Sequence, residues 1–220
     1  MKRCHFTLVE LLTVIAVIAI LAGIAIPVVV GMQSKGKETA ARADMNAIKL
    51  ALTQFKADYS IFPVTGATGD TLYHAGFSSP NTTNGDQAID TLISHLTLIA
   101  PAPKGGTGAD KNDPVDFTST LNKKKRKYLD APAKPAEALF EVDSTTNPKI
   151  GFMKLDPWGR RYNIALDTDY NKKIDLTTAF LGTGSKAETI VGDIAIYSYG
   201  TAEDDGDLEA FLYSWKTNAQ

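Results

Sequence analysis

The sequence predicts an α+β protein in which one long N-terminal α-helix precedes and packs on a small antiparallel β-sheet. An apolar run at residues 11–30 continues, without a turn signal, into a helical apolar stripe that reaches Tyr59. Three short segments near the C-terminus, residues 162–166, 174–176 and 193–199, have the composition of β-strands. We therefore expect about three antiparallel strands against the second half of the helix.

The apolar run has the length of a membrane span. Residues 11–30 read LLTVIAVIAILAGIAIPVVV, in which Thr13 is the only polar side chain. Twenty residues at about 1.5 Å each cross the hydrocarbon core of a bilayer, roughly 30 Å. Glu10 stands at the start of the run, and a carboxylate there costs about 2.5–3.5 kcal/mol on insertion scales. We predict a transmembrane part of the helix over residues 6–30, with a partner for Glu10.

The helix continues as an amphipathic segment over residues 31–63. One apolar stripe recurs at spacings of four and three residues: Ala41, Met45, Ile48, Leu52, Phe55 and Tyr59. Charged residues occupy the other faces, and Pro63 ends the pattern. A single helix from Phe6 to about Tyr59 is the simplest interpretation.

The N-terminus resembles the class III signal of type IV pilins and type II secretion pseudopilins. A short basic leader, Met-Lys-Arg-Cys-His, precedes Phe-Thr-Leu-Val-Glu. The resemblance implies that a prepilin peptidase removes a leader of residues 1–5 by cutting between His5 and Phe6 and methylates the new amine. It also implies that Glu10 supports assembly into a filament. The family has Gly where this chain has His5, and an uncleaved signal anchor is the alternative.

Pro27 interrupts the hydrogen bonding of the apolar half. It cannot donate to the carbonyl of Gly23, so we expect a kink or a loosened turn there. In the resembling family a proline stands at this position and the helix melts locally on filament assembly. The alternative is that Pro and Gly are simply common in membrane helices.

Two C-terminal motifs resemble the major pseudopilin of type II secretion. Residues 155–162, LDPWGRRY, are similar to its DPWGNPY motif, and residues 193–200, DIAIYSYG, are similar to its last-strand motif. The resemblance implies a pilin-like fold, anchored in the inner membrane by one span, with the C-terminal domain in the periplasm. The only cysteine, Cys4, lies in the leader, so the exported domain has no disulfide, which favours the pseudopilin branch.

The C-terminal region, residues 155–220, also contains an acidic loop. Carboxylates near a glycine suit Ca²⁺, which takes six to eight oxygen ligands, and the resemblance implies a structural calcium here. The predicted ligands are Asp204, Asp205, Asp207 and Glu203. The alternative is a solvated acidic loop. A second loop, residues 167–175, spaces its oxygens like a minimal calcium loop, but a simple hairpin turn at residues 170–173 is favoured.

Residues 64–154 match nothing in the resembling family and are interpreted as a variable insert. Residues 64–87 and 101–120 are predicted to be loops, with a short helix at residues 88–100 in which His95 is a structural residue. The basic run at residues 123–127, KKKRK, is interpreted as a solvated loop, because no interleaved aromatic residues support stacking on bases. With a net charge of −2, no nucleic-acid partner is expected.

The function implied is that of a structural subunit, since the sequence has no GxSxG, HExxH or phosphate-binding loop. The subunit would form a homopolymeric type II secretion pseudopilus in the periplasm. Its partners would be further copies of itself, the prepilin peptidase, minor pseudopilins, the inner-membrane assembly platform and membrane lipid. Two alternatives remain: a type IV pilus or DNA-uptake pilin, and a membrane-anchored calcium-binding module that does not polymerise.

Overall fold

The structure, a computed structural model, describes residues 8–64, 69–74, 77, 84–99, 118–131 and 154–216. In the helical stretches 24–31 and 84–87 it describes the backbone alone. The helices are α1 (Leu8–Tyr59), α2 (Asn84–Thr97) and α3 (Thr178–Leu181). The strands are β1 (Thr71–Tyr73), β2 (Asn163–Leu166), β3 (Lys173–Leu176), β4 (Glu188–Val191), β5 (Ile194–Ser198) and β6 (Leu212–Tyr213).

The chain divides into two compact units, Met1–Thr39 and Ala40–Gln220. In the first unit the backbone of α1 is helical from Leu8 and remains so through Pro27, whose side chain lies outside the described residues. No helix in the described part of the chain meets the length and hydropathy of a membrane span. The span predicted for residues 6–30 includes residues outside that part, so it stays a prediction.

In the second unit, α1 buries the predicted stripe. Ala41, Met45, Ile48, Leu52 and Phe55 are all buried in one hydrophobic cluster, and Tyr59 packs against its edge. The helix ends where predicted, since Ser60 adopts a left-handed φ of 61° and donates its N–H to the Lys56 carbonyl. The prediction of a single helix ending near Tyr59 is confirmed.

The main sheet has four antiparallel strands in the order β1-β2-β5-β6. Side chains alternate between its faces, as the two-residue period of a strand requires. Ile164 and Ile196 join the cluster of α1 and α2, whereas Ala165 and Tyr197 join a second cluster on the opposite face. The fold is therefore α+β and pilin-like, as predicted.

A small second layer covers the opposite face of the sheet. It consists of the antiparallel pair β3-β4 and the short helix α3, whose N-cap Thr177 accepts a hydrogen bond from the Phe180 N–H. The cluster between the layers is largely aromatic. Its buried rings are Phe180, Tyr197, Tyr199, Phe211 and Tyr213. Both faces of the central strands are thus buried.

Three details of the predicted sheet were wrong. Residues 174–176 were expected in the same sheet as the other two strands, but within the described residues β3 pairs with β4 alone, in a separate sheet. The hairpin turn expected at residues 170–173 does not join paired strands, because β2 pairs with β1 and β5. Residues 64–87 were expected to be loop, yet they contain β1 and the start of α2.

The predicted helix at residues 88–100 exists but is shifted, because α2 spans Asn84–Thr97. His95 in that helix is buried, and its Nδ1 lies 2.6 Å from Ser119 Oγ, which agrees with a structural role. Large parts of the insert, residues 100–117 and 132–153, lie outside the described residues.

Candidate functional site

The first turns of α1 form a continuous exposed apolar surface. Ten large apolar side chains between Leu8 and Leu21 are exposed, from 50% at Val14 to 79% at Leu8. Single exposed apolar residues are common on soluble proteins, but a continuous apolar surface of this size is not. It indicates contact with lipid or with other protein chains. The exposed surface is the strongest functional feature of the first unit.

Glu10 is the acidic residue of this surface and lies in the first turn of α1. It is exposed, and its carbonyl accepts a hydrogen bond from Thr13 Oγ1 at 3.0 Å. The described helix therefore presents a carboxylate at the start of an apolar surface, as the sequence predicted. The predicted cleavage site, His5 and Phe6, lies outside the described residues.

The two C-terminal motifs meet at Asp156. This side chain is only 4% exposed and accepts hydrogen bonds from the N–H groups of Trp158 (3.0 Å) and Arg160 (2.8 Å). It also accepts one from Ser198 Oγ at 2.6 Å, which lies in the DIAIYSYG motif. Burial raises the pKa of Asp156, and these hydrogen bonds oppose the rise. Asp156 thus fixes the DPWG turn to β5, a role that sequence comparison alone did not identify.

The acidic loop after β5 carries the four predicted calcium ligands. Asp204 Oδ1 accepts the Gly206 N–H at 2.8 Å, and Asp205 Oδ2 accepts Thr183 Oγ1 at 2.7 Å. Glu203 and Asp207 are exposed. The described conformation does not bring three of these four carboxylates within ligand distance of one another.

A different carboxylate cluster does form within the described residues. One oxygen from each of Asp70, Asp167 and Asp169 lies within 4.8 Å of the others. Asp167 is fully buried and accepts the N–H groups of Asn171 (3.0 Å) and Lys172 (2.9 Å). Burial, with the nearby carboxylates of Asp169 and Asp167, raises the pKa of Asp70. Sequence analysis had singled out the 167–175 loop but missed Asp70, which is the residue directly before β1.

The long helix with an exposed apolar start and the small sheet that packs on its later turns form a pilin-like fold. Comparison with known proteins agrees with this fold, because the chain has relatives among secretion pseudopilins. The chain is similar to proteins named type II secretion system core protein G: it is 28% identical to that of Pseudomonas aeruginosa, over 47% of this chain and 78% of the relative. It is 34% identical to that of Vibrio cholerae (52% and 65%) and 31% identical to that of Escherichia coli (38% and 57%).

These proteins are homologues of the chain, and they confirm its resemblance to the major pseudopilins of type II secretion. The matches span between about half and four fifths of the relatives' length. No protein-family profile matches the chain. No solved structure matches it either.

Proposed function

We propose that the chain is a non-catalytic structural subunit of a type II secretion pseudopilus. The observation that carries the proposal is the combination of core protein G homologues with an exposed apolar surface on the first turns of α1, which contains Glu10. The chain would be inserted in the inner membrane through the apolar part of α1, with its C-terminal domain in the periplasm. Minor pseudopilins and the assembly platform would be its partners.

Processing would create a cation with which Glu10 could pair in the filament. A prepilin peptidase would cut between His5 and Phe6 and methylate the new amine, which stays cationic. A carboxylate buried without a counter-charge is strongly unfavourable, so Glu10 of one copy would pair with the Phe6 amine of a neighbour when the apolar surfaces associate. When the chain passes from the membrane into the filament, neighbouring copies would replace lipid as the cover of the apolar side chains. Pro27 would allow the helix to loosen in that transition.

The test is Glu10→Ala in the full chain, expressed in its host with the secretion apparatus. We expect membrane insertion to persist, while the amount of sheared filament recovered by centrifugation falls to background. Glu38→Ala, the same change at a second carboxylate of α1, is the matched control and should assemble. If wild type itself forms no filament, the proposal fails in favour of an anchored monomer. If Glu10→Ala assembles normally, the role of the carboxylate is wrong.

We also propose that the loop after β5 binds structural calcium. The loop offers four carboxylates next to Gly206, a hard-oxygen donor set that suits Ca²⁺. The free oxygens of Asp204 and Asp205, with Asp207 and Glu203, would supply the charge, after a local rearrangement that brings them together. An ion here would fix the C-terminal end of a domain that has no disulfide.

Thermal unfolding with and without Ca²⁺ tests this site. Calcium should raise the melting temperature of the wild type, and Asp204→Asn with Asp207→Asn should remove that increase. Asp167→Asn with Asp169→Asn is the matched control, because it removes two carboxylates from the other cluster. If only the control variant loses the response, calcium binds at the Asp70 cluster instead, and the proposal for the 203–207 loop is refuted.

A further inference from the structure

The basic run at residues 123–127, here called the basic loop, has a fixed conformation. Asn122 beside it is fully buried, and its Nδ2 donates to the carbonyls of His95 (3.0 Å) and Arg126 (2.7 Å). Its Oδ1 accepts the Arg126 N–H at 3.1 Å and the Tyr59 hydroxyl at 3.0 Å. The loop is therefore attached to the end of α1 and to α2, while its five basic side chains stay exposed to solvent, as the sequence predicted.

The charge of the basic loop is only partly compensated. Asp58 pairs with Arg126 at 2.7 Å and with Lys124 at 3.8 Å. Hydrogen bonds from Tyr128 and then Arg126 lower the pKa of Asp58, so it stays ionised. Lys123, Lys125 and Lys127 are exposed and form no ion pair with any described residue. Among the described residues, ion pairs with Asp58 thus compensate only two of the five positive charges of the basic loop.

The segment of residues 203–209, here called the acidic loop, has the opposite charge. Its five carboxylates are Glu203, Asp204, Asp205, Asp207 and Glu209, and all but the half-buried Asp205 are exposed. No lysine or arginine lies within the segment, and none of the five forms an ion pair with a described residue. A bound divalent ion would leave this loop with a net negative charge.

We propose that, in the assembled filament, the basic loop of one copy contacts the acidic loop of a neighbouring copy. This inference rests on the proposed filament function. A helical filament is built from heterologous contacts, in which two different surfaces of one subunit meet. The second unit has two such surfaces of opposite charge, both exposed, and complementary charges fix which surfaces meet and in which register. The contact would set the positions of neighbouring heads.

Charge reversal tests the contact in the full chain with the native secretion apparatus. The basic variant is Lys123→Glu with Lys127→Glu, which spares the Asp58 pairs and the left-handed backbone of Lys125. The acidic variant is Glu203→Lys with Glu209→Lys. Each reverses an attraction, and we expect filament yield to fall about fivefold to thirtyfold in either variant. Combining all four substitutions in one chain should restore the yield.

Lys49→Glu with Lys173→Glu is the matched control, because both lysines are exposed on the same unit and neither forms an ion pair with a described residue. It changes the net charge equally and should assemble normally. The inference is overturned if both reversed variants assemble like wild type, or if the combined variant is no better than either alone. The latter would mean that the basic loop contacts something else, such as anionic lipid. If wild type forms no filament, the proposed function fails first.

Discussion

The ion pair between Asp90 and Arg161 offers a sharp test of how α2 is held on the strand β2 and the turn before it. The pair joins α2 to the residue just before Tyr162 and β2, and it is bidentate, with Nε–Oδ1 and Nη2–Oδ2 distances of 3.0 Å. Both residues are nearly inaccessible, with Arg161 6% and Asp90 9% exposed. Replacing Asp90 by Ala would leave a buried guanidinium without its carboxylate.

The expected loss is large because both charged side chains are buried, so that neither can be solvated if its partner is removed. Burial raises the pKa of Asp90 even though the hydrogen bonds and charge of Arg161 oppose the rise. In such a case, removing one partner costs about 3–5 kcal/mol, whereas replacing both by apolar residues of similar size is neutral or stabilising. Asp90→Ala should be severely destabilising and Asp90→Leu with Arg161→Met should not.

Urea unfolding of the full chain in detergent measures this difference. We expect the midpoint for Asp90→Ala to fall by about 1–2 M, given typical urea slopes for a domain of this size. The exposed pair Lys216–Glu188, at 2.9 Å, is the matched control, and Glu188→Ala should cost less than about 1 kcal/mol. Similar losses for Asp90→Ala and Glu188→Ala would refute the reasoning, as would a double apolar variant as unstable as Asp90→Ala.

Two further predictions concern stability. Gly200 has a φ of 58° and an added Cβ would lie 2.2 Å from the Ala210 carbonyl oxygen, so Gly200→Ala should lower the melting temperature by at least about 4–8 °C. Gly184→Ala, at φ 81° but in open space, should cost less, and equal losses would show that the contact with Ala210 is unimportant. Burial lowers the pKa of His74 and of His95, so the folded state favours the neutral rings. The two neutral histidines contribute fully to the free energy of unfolding above their unfolded pKa of about 6.5, and this contribution is lost as the pH falls below that value. The stability of the protein should therefore decrease from pH 7.5 to 5.5. Substituting both histidines by Gln should reduce that decrease, and an unchanged pH dependence would contradict the assignment.

The long helix could be predicted from sequence because its signals are local and repeated. The stripe from Ala41 to Phe55 recurs over several turns, and Pro63 marks the region of its end. The strands β2 and β5 were also predicted, because Tyr162 to Leu166 and Ile194 to Ser198 are rich in β-forming residues.

The rest of the fold depends on contacts between distant residues. The strands β1 and β6 have only three and two residues, which is too few to show any period in the sequence. They form because β2 and β5 each have an edge with which β1 and β6 can pair. Likewise, nothing near Asp70 indicates that it will lie beside Asp167, and nothing near Asn122 indicates that it will fix the basic loop. These sites are products of the topology rather than of local sequence.

The measurement that tests the central claim most directly is the intact mass of the protein purified from its native membrane. A pseudopilus subunit should lack residues 1–5 and carry one added methyl group on the amine of Phe6. An intact N-terminus that still includes His5 would contradict the account, because without the cut there is no Phe6 amine to pair with Glu10 in a filament.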